Sequence, residues 1–493
     1  MAIIQVLSTA GILFALYFFL IRILGPEKVG LWSLILATSS VANLGGFGLA
    51  GGVVKFVSKY LALGDSTKAA ACLETAAVSV AVLVAVFLTF MYPAFVWILE
   101  YLLPSESTAL GISLLPYSLL SFLITATGAV FLSGLDGVQR IDIRSLVVSG
   151  SAAIHLFCAF LLVPKFDLIG LAYAQVIQSI AILLLASYFL RRILHELSIL
   201  PIRWNKAMFR EMFMYGLNFQ MTSLVQVLFD PVTKALIGIF GGLAAVSYFE
   251  MANRLIIQCR ALLVAANQVL VPVIANMYET KRSEISNVYV GSVRLLMYLT
   301  LPLYSAIGAA VPIVSEIWIG RDERLFVIFT AVLTVGWFFN NLTAPAYFGN
   351  LGSGHLRWNT LSHVLIGVLN AAIGLLLGYY LGPIGVVTGF AISLVAGGGL
   401  LLVKYHTEND IPLAHFVTSE NRGLVIVCAL APPLTWSSYY LFKESIGLPF
   451  TILVCLVIFS GLILPVMWRH PLRQRLVTWF IEGFRSREAQ GAE

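Results

Sequence analysis

The chain has 493 residues, 59% of them hydrophobic and 11% charged, with a formal charge of +6. Soluble chains carry roughly 25% charged residues, and no single soluble core hides this much apolar surface, because cores split into domains well before this length. A bilayer solves the problem by acting as the solvent, with about 20 apolar residues for each spanning helix. The fold class expected is therefore an all-α, polytopic membrane protein. Cys72, Cys158, Cys259, Cys428 and Cys455 lie singly in apolar stretches. They form no CxxC pair and no Cys/His spacing suited to zinc, so neither disulfides nor a metal gain support.

In chain order, residues 1–21 are uncharged and are followed by Arg22 and Lys28. No Lys or Arg precedes this run, and it is too long for a signal-peptide core, so a retained spanning helix is expected. Stretches free of Asp, Glu, Lys and Arg continue over 29–54, 75–99, 107–135, 145–164 and 168–190, and a basic connection from Arg191 to Glu211 follows. The next two spans, near 212–238 and 244–276, are apolar but interrupted by Asp230, Lys234, Glu250, Arg254 and Arg260. Clean stretches resume at 295–315 and 325–356. The run 358–403 is too long for one helix and contains Gly382-Pro383, a turn signal, so it holds two helices. Spans at 423–442 and 445–468 bring the count to about fourteen.

Basic residues set the orientation. With the N-terminus in the cytoplasm, twenty Lys and Arg fall on cytoplasmic segments and only Lys28, Lys165, Arg321, Arg324 and Lys443 on the opposite side. Both termini are therefore expected in the cytoplasm, in a cell (inner) membrane. The sequence also repeats at an offset of 217 residues. Phe131 to Arg140 pairs with Phe348 to Arg357, Val29 with Val246, and Ile169, Ala172 and Ala174 with Val386, Gly389 and Ala391. A six-span unit makes two like-oriented lobes, an arrangement suited to alternating access. The expected domains are an N-terminal lobe (1–190), a cytoplasmic linker (191–211), a C-terminal lobe (212–403), two appended helices (404–468) and a basic tail (469–493).

Arg22-Ile-Leu-Gly-Pro-Glu-Lys-Val-Gly30 resembles the R-x-LGPE-x-(F/Y)G signature of polysaccharide-exporting flippases, with Val29 in place of the aromatic. Asn43-Leu-Gly-Gly-Phe-Gly-Leu-Ala50 with Lys55, Asp230, Gly241-Gly242 with Val246 and Tyr248, and Pro272 extend the likeness over about 1–440. The chain thus resembles the oligosaccharide flippase (polysaccharide transporter) family of the multidrug/oligosaccharidyl-lipid/polysaccharide exporter superfamily. That resemblance implies movement of a lipid-linked oligosaccharide, on a polyprenyl-phosphate type carrier, from the cytoplasmic to the outer leaflet for cell-surface polysaccharide biosynthesis. The partners expected are this substrate, membrane lipids, a polysaccharide polymerase and glycosyltransferases, with no nucleic acid.

Charges inside spans are the candidate site. Each costs roughly 2.5–3.5 kcal/mol on insertion scales and persists when it meets a partner or a wet cavity. Asp230 and Lys234, and likewise Glu250 and Arg254, are spaced to bridge on one helical face. Arg254 lies near mid-depth, with Arg260 about 9 Å further along. Guanidinium forks bind phosphate bidentately. Arg254, Arg260, Lys234 and Arg22 are thus candidates to line a substrate cavity, against the alternative that the cations only neutralise Glu250 and Asp230. Arg22 and Arg294 also suit snorkelling. Asp230 is a candidate for H+ or Na+ coupling or a bridge to Lys234; no other cofactor is expected. His155 and His363 read as satisfied buried histidines, and Asn218, Gln220 and Gln226 as helix-helix hydrogen bonders or sugar contacts.

Two alternatives stay open. A cation-coupled multidrug exporter wants an excess of carboxylate, whereas these spans hold more cations. A flippase for a lipid-linked peptidoglycan precursor would have an equally anionic substrate. An enzyme is not expected, since a membrane glycosyltransferase needs large loops and the outer loop near Glu316 to Arg324 is short.

Overall fold

The computed structural model describes residues 2–46, 48–198, 203–268, 270–281, 284–413 and 419–474; of 2–3, 217–227, 265–266, 279 and 419 it describes the backbone alone. Its helices are α1 (Ala2–Ser40), α2 (Leu49–Ala62), α3 (Ser66–Leu102), α4 (Ser105–Gly137), α5 (Ile141–Ile193), α6 (Lys206–Asn267), α7 (Leu270–Thr280), α8 (Ile285–Ile319), α9 (Arg324–Asn341), α10 (Ala344–Ser353), α11 (Arg357–Glu408), α12 (Ser419–Ile446) and α13 (Leu448–Arg469). No strand occurs among the described residues.

Among the described residues, ten helical elements are long and apolar enough to cross a membrane. Four of these contain one non-helical residue each: Gly25 in α1, Asp167 in α5, Gly242 in α6 and Gly382 in α11, all at positive φ. Counting the arms on either side, the ten elements supply fourteen segments, and the chain is a multi-pass, all-α membrane protein. Exposed apolar side chains such as Phe90, Leu184, Leu376 and Leu456 suit an outer surface that meets lipid.

The breaks are reversals. Around Gly242, a Cβ on Gly238 would touch Val246, and the two positions are equidistant from the break. Gly170 lies against the Leu162 carbonyl and Gly385 against the Leu377 carbonyl, so tightly that a Cβ would come within 2.4 and 2.0 Å. Lys28 and Asp167 form an ion pair, which ties the reversals of α1 and α5 to the same end.

The repeat is visible in the backbone. Gly25 (φ 78, ψ 166) and Gly242 (φ 75, ψ 178) adopt the same conformation 217 positions apart. At the second reversal the register changes. Asp167 (φ 56, ψ −137) matches Gly382 (φ 63, ψ −149), and Gly170 matches Gly385, which are both pairs 215 apart. The pairing of Ile169 with Val386 is therefore corrected by two residues, because apolar residues two apart look alike to a sequence match while backbone breaks do not.

Three spans expected to run unbroken are interrupted. Val41–Gly46 is a 3-10 helix, and Gly48 at φ 66 separates it from α2 within 29–54. Leu342 and Thr343 divide α9 from α10 within 325–356, and α6 ends before α7 within 244–276. Freedom from charge delimits a span but cannot register a change of helix type inside it.

By packing, the chain divides into two units, Met1–Gln258 with Gly367–Phe390, and Cys259–Ile366 with Ala391–Glu493. In the first, α5 packs on α1 and α4, and α3 on α4. A Cβ on Gly30 would lie 1.8 Å from the Leu243 carbonyl oxygen, and one on Gly241 would lie 2.5 Å from Pro383, so the reversal at Gly242 interlocks through glycine with those at Gly25 and Gly382. In the second, α12 packs on α8 and α13, around Met297, Leu301, Leu424, Cys428 and Ile463.

Candidate functional site

The reversal at Gly242 makes the site. Lys234 and Glu250 stand equally far from it on opposite arms, about 12 Å along each at a rise of ~1.5 Å per residue. They meet: Lys234 Nζ lies 2.6 Å from Glu250 Oε2 and 2.7 Å from Asp230 Oδ2. Glu250 Oε1 accepts from Arg254 Nε at 2.6 Å and from the Tyr17 hydroxyl at 3.1 Å. The two expected helical pairs are thus linked into one chain, Asp230–Lys234–Glu250–Arg254, with Tyr17 of α1 joined to its centre.

Burial grades along this chain. Lys234 and Glu250 are each 4% exposed at the side chain, whereas Asp230 and Arg254 are 41% and 46% exposed. Each buried charge has two partners of opposite sign or a hydroxyl, as a low-dielectric site requires. The exposed ends present one carboxylate and one guanidinium. An arginine has five N–H donors and the bond to Glu250 uses one.

Arg22 is exposed and sits over the Phe18 ring of its own helix at 4.1 Å. Arg260 belongs to the second unit. Its guanidinium lies 4.7 Å from the Trp337 ring centre, and its buried Nε has no hydrogen-bond partner among the described residues. Tyr304, Tyr347 and His363 lie within reach of its charge. Arg260 thus takes a cation–π contact in an aromatic setting instead of a carboxylate.

His155 is buried with Nε2 unpartnered among the described residues, so the satisfied histidine expected there is not seen; His363 packs edge-on against Tyr347 at 5.7 Å. The buried Nε of Arg294 likewise lacks a partner among the described residues. The side chains of Asn218, Gln220 and Gln226 lie outside the described residues. Sequence reasoning missed Tyr17 and Trp337, which carry no charge. Tyr17 had one available signal: it is the 217-offset counterpart of Lys234.

Among solved structures, the chain is similar to the inward-facing conformation of a multidrug resistance MATE family transporter of the MOP superfamily. That match has a TM-score of 0.69 at 16% identity, over 82% of this chain and 94% of that one. Lipid II flippase MurJ in an inward closed conformation gives 0.66 at 14%, over 92% and 98%. A MOP superfamily transporter from Pyrococcus furiosus, described as having a binding pocket of reverse polarity, gives 0.59 at 13%, over 85% and 96%. At these identities the likeness is one of fold. No curated protein matches the chain. A family model described as polysaccharide biosynthesis protein matches residues 2–278, more than half of the sequence, and the chain belongs to that family.

Proposed function

We propose that the chain is a flippase that carries a lipid-linked oligosaccharide from the cytoplasmic to the outer leaflet by alternating access, for cell-surface polysaccharide biosynthesis, without catalysing a covalent step. The family's role in polysaccharide biosynthesis and a fold similar to a lipid II flippase support this reading.

One observation carries the mechanism. Arg254 sits inside a spanning segment with nearly half its side chain exposed, while its partner Glu250 is buried. A permanent charge at that depth is costly against hydrocarbon, so the exposed side faces water. The guanidinium edge not bound to Glu250 then holds the phosphate that joins lipid to sugar. Lys234, buried and paired with two carboxylates, positions Glu250. Arg22, in the same unit as Arg254, is a further cation for that headgroup. Asp230, half-exposed and held among the described residues by Lys234, is the place for proton or Na+ coupling.

The test is export of surface polysaccharide in cells lacking the chromosomal gene. Arg254→Gln at normal protein level should lower export about ten-fold or more, the worth of a charged hydrogen bond. Arg254→Lys should retain part, since it keeps charge and loses the fork. Full export by Arg254→Gln removes Arg254 from the role. Imposed proton or Na+ gradients in the same assay read Asp230→Asn, which should lose its response to the coupling ion. An unchanged glycan in the deletion strain, with new sensitivity to organic cations, would favour the multidrug-exporter reading.

A further inference from the structure

The second unit holds a cavity of about 430 Å³ among the end of α7, the start of α8 and the ends of α10 and α11. That is within the range of small-molecule sites, roughly 300–1,000 Å³. Its polar lining includes Tyr278, Ser286, Asn350, His355, Glu408 and Asn409.

The hydrogen-bond accounting shows what it offers. Asn350 Nδ2 donates to Asn359 Oδ1 and Asn409 Nδ2 to the Tyr405 carbonyl, each at 2.9 Å. Both amides are anchored through nitrogen, which leaves their carbonyl oxygens as acceptors. Glu408 Oε1 accepts from Trp358 Nε1 at 2.5 Å, which leaves the other carboxylate oxygen. The His355 ring lies 5.8 Å from that of Tyr278 and supplies an aromatic wall.

The charge balance selects the ligand. Arg357 and Lys404 do not line the cavity; they sit over the Trp358 ring at 5.2 and 4.8 Å, beside the carboxylate that Trp358 binds. Glu408 is therefore compensated nearby, which disfavours an amine, and among the described residues no Lys or Arg lines the cavity to take a phosphate. What remains is an acceptor-rich pocket with aromatic walls. A saccharide has the complementary chemistry, with hydroxyls that donate and a C–H face that lies on a ring.

The walls are fixed. A Cβ on Gly349 would meet the Tyr405 hydroxyl at 2.8 Å, and one on Gly352 the Val271 carbonyl at 2.8 Å, so α10 lets its neighbours close in. Behind Tyr405, His406 bonds Tyr289 at 2.8 Å through Nε2 and the Ile411 carbonyl at 3.1 Å through Nδ1, which pins the end of α11. Such support pre-organises a site.

We propose that this cavity binds a neutral saccharide. The proposal goes beyond the phosphate grip of Arg254 and stands or falls on other residues. It is tested on the full chain in detergent by saturation-transfer NMR, with N-acetylglucosamine, galactose and glucose as probes. At least one should give a saturable, millimolar signal. Glu408→Gln, which keeps the acceptor for Trp358, and Asn409→Leu should each weaken it about ten-fold, as the loss of a hydrogen bond does. Ser286→Trp should abolish it by filling the cavity. These positions are exposed or half-buried, and unchanged thermal unfolding confirms that the variants fold. A prenyl glycoside of the same sugar tells the source: tighter binding than the free sugar supports a lipid-borne headgroup, and equal binding supports a free saccharide in the same cavity. Absence of a saturable signal from every sugar, a signal the three variants do not change, or binding of inorganic phosphate or spermidine alone would overturn the proposal. Export by Arg254→Gln reads the phosphate grip separately, so either idea can fail without the other.

Discussion

Lys234 and Glu250 are buried, and their desolvation is offset by each other, by the half-exposed ends of the network and, for Glu250, by the Tyr17 hydroxyl. Removing one alone leaves the other buried without its fully buried counter-charge and with only a half-exposed one, whereas removing both removes the desolvation cost as well. Glu250→Gln should therefore lower the stability of the purified protein by about 3–5 kcal/mol, and Lys234→Met combined with Glu250→Leu should recover most of that loss. Thermal unfolding in detergent measures it; a single variant as stable as the parent would show that water reaches the pair. At this scale the helical pairs were legible, because a spacing of four puts two side chains on one face. The link between them was not. It crosses a reversal, and only once Gly242 is known as the turning point does the equal spacing of Lys234 and Glu250 become visible. The aromatic partner of Arg260 was equally hidden, since attraction to a ring leaves no charge pattern in a sequence.

The reversals themselves were legible to different degrees. Leu24-Gly25-Pro26 and Gly382-Pro383 carry turn chemistry, and Gly241-Gly242 supplies the residue that positive φ requires. Asp167 has no such chemistry; Lys165 and Asp167 marked the boundary only by being charged. Its conformation (φ 56, ψ −137) belongs to a region that is nearly glycine's alone and costs of order 1–3 kcal/mol for other residues. The structural counterpart in the second repeat is Gly382, so one copy of the reversal is relaxed and the other strained. Asp167→Gly should raise stability by about 1 kcal/mol, because the ion pair it gives up with Lys28 is exposed and worth little. A lower midpoint of unfolding in Asp167→Gly would mean that the pair, not the backbone, dominates there. The 3-10 segment Val41–Gly46 was illegible for another reason: Gly45, Gly46 and Gly48 weaken a helix without stating which conformation replaces it.

For the molecule as a whole, fourteen segments joined in series force successive connections to opposite sides of the membrane, so one orientation fixes all of them. The bias of basic residues then predicts that Gln139 and Asn409 face the cytoplasm and that Ser105 and Lys165 face outward. The four cannot change sides independently, since α4 alone separates Ser105 from Gln139. Native cysteines are buried or half-buried, so a cysteine-free background carrying single replacements gives a clean reading. With a membrane-impermeant maleimide on intact cells, Ser105→Cys and Lys165→Cys should label at once, and Gln139→Cys and Asn409→Cys only after permeabilisation. The reverse pattern would keep the fold and invert the direction of transport relative to the leaflets. Labelling of Ser105→Cys and Gln139→Cys from one side would be more damaging, because α4 would then not cross. The two lobes would lose their common orientation, and a mechanism that rocks one against the other would lose its geometry.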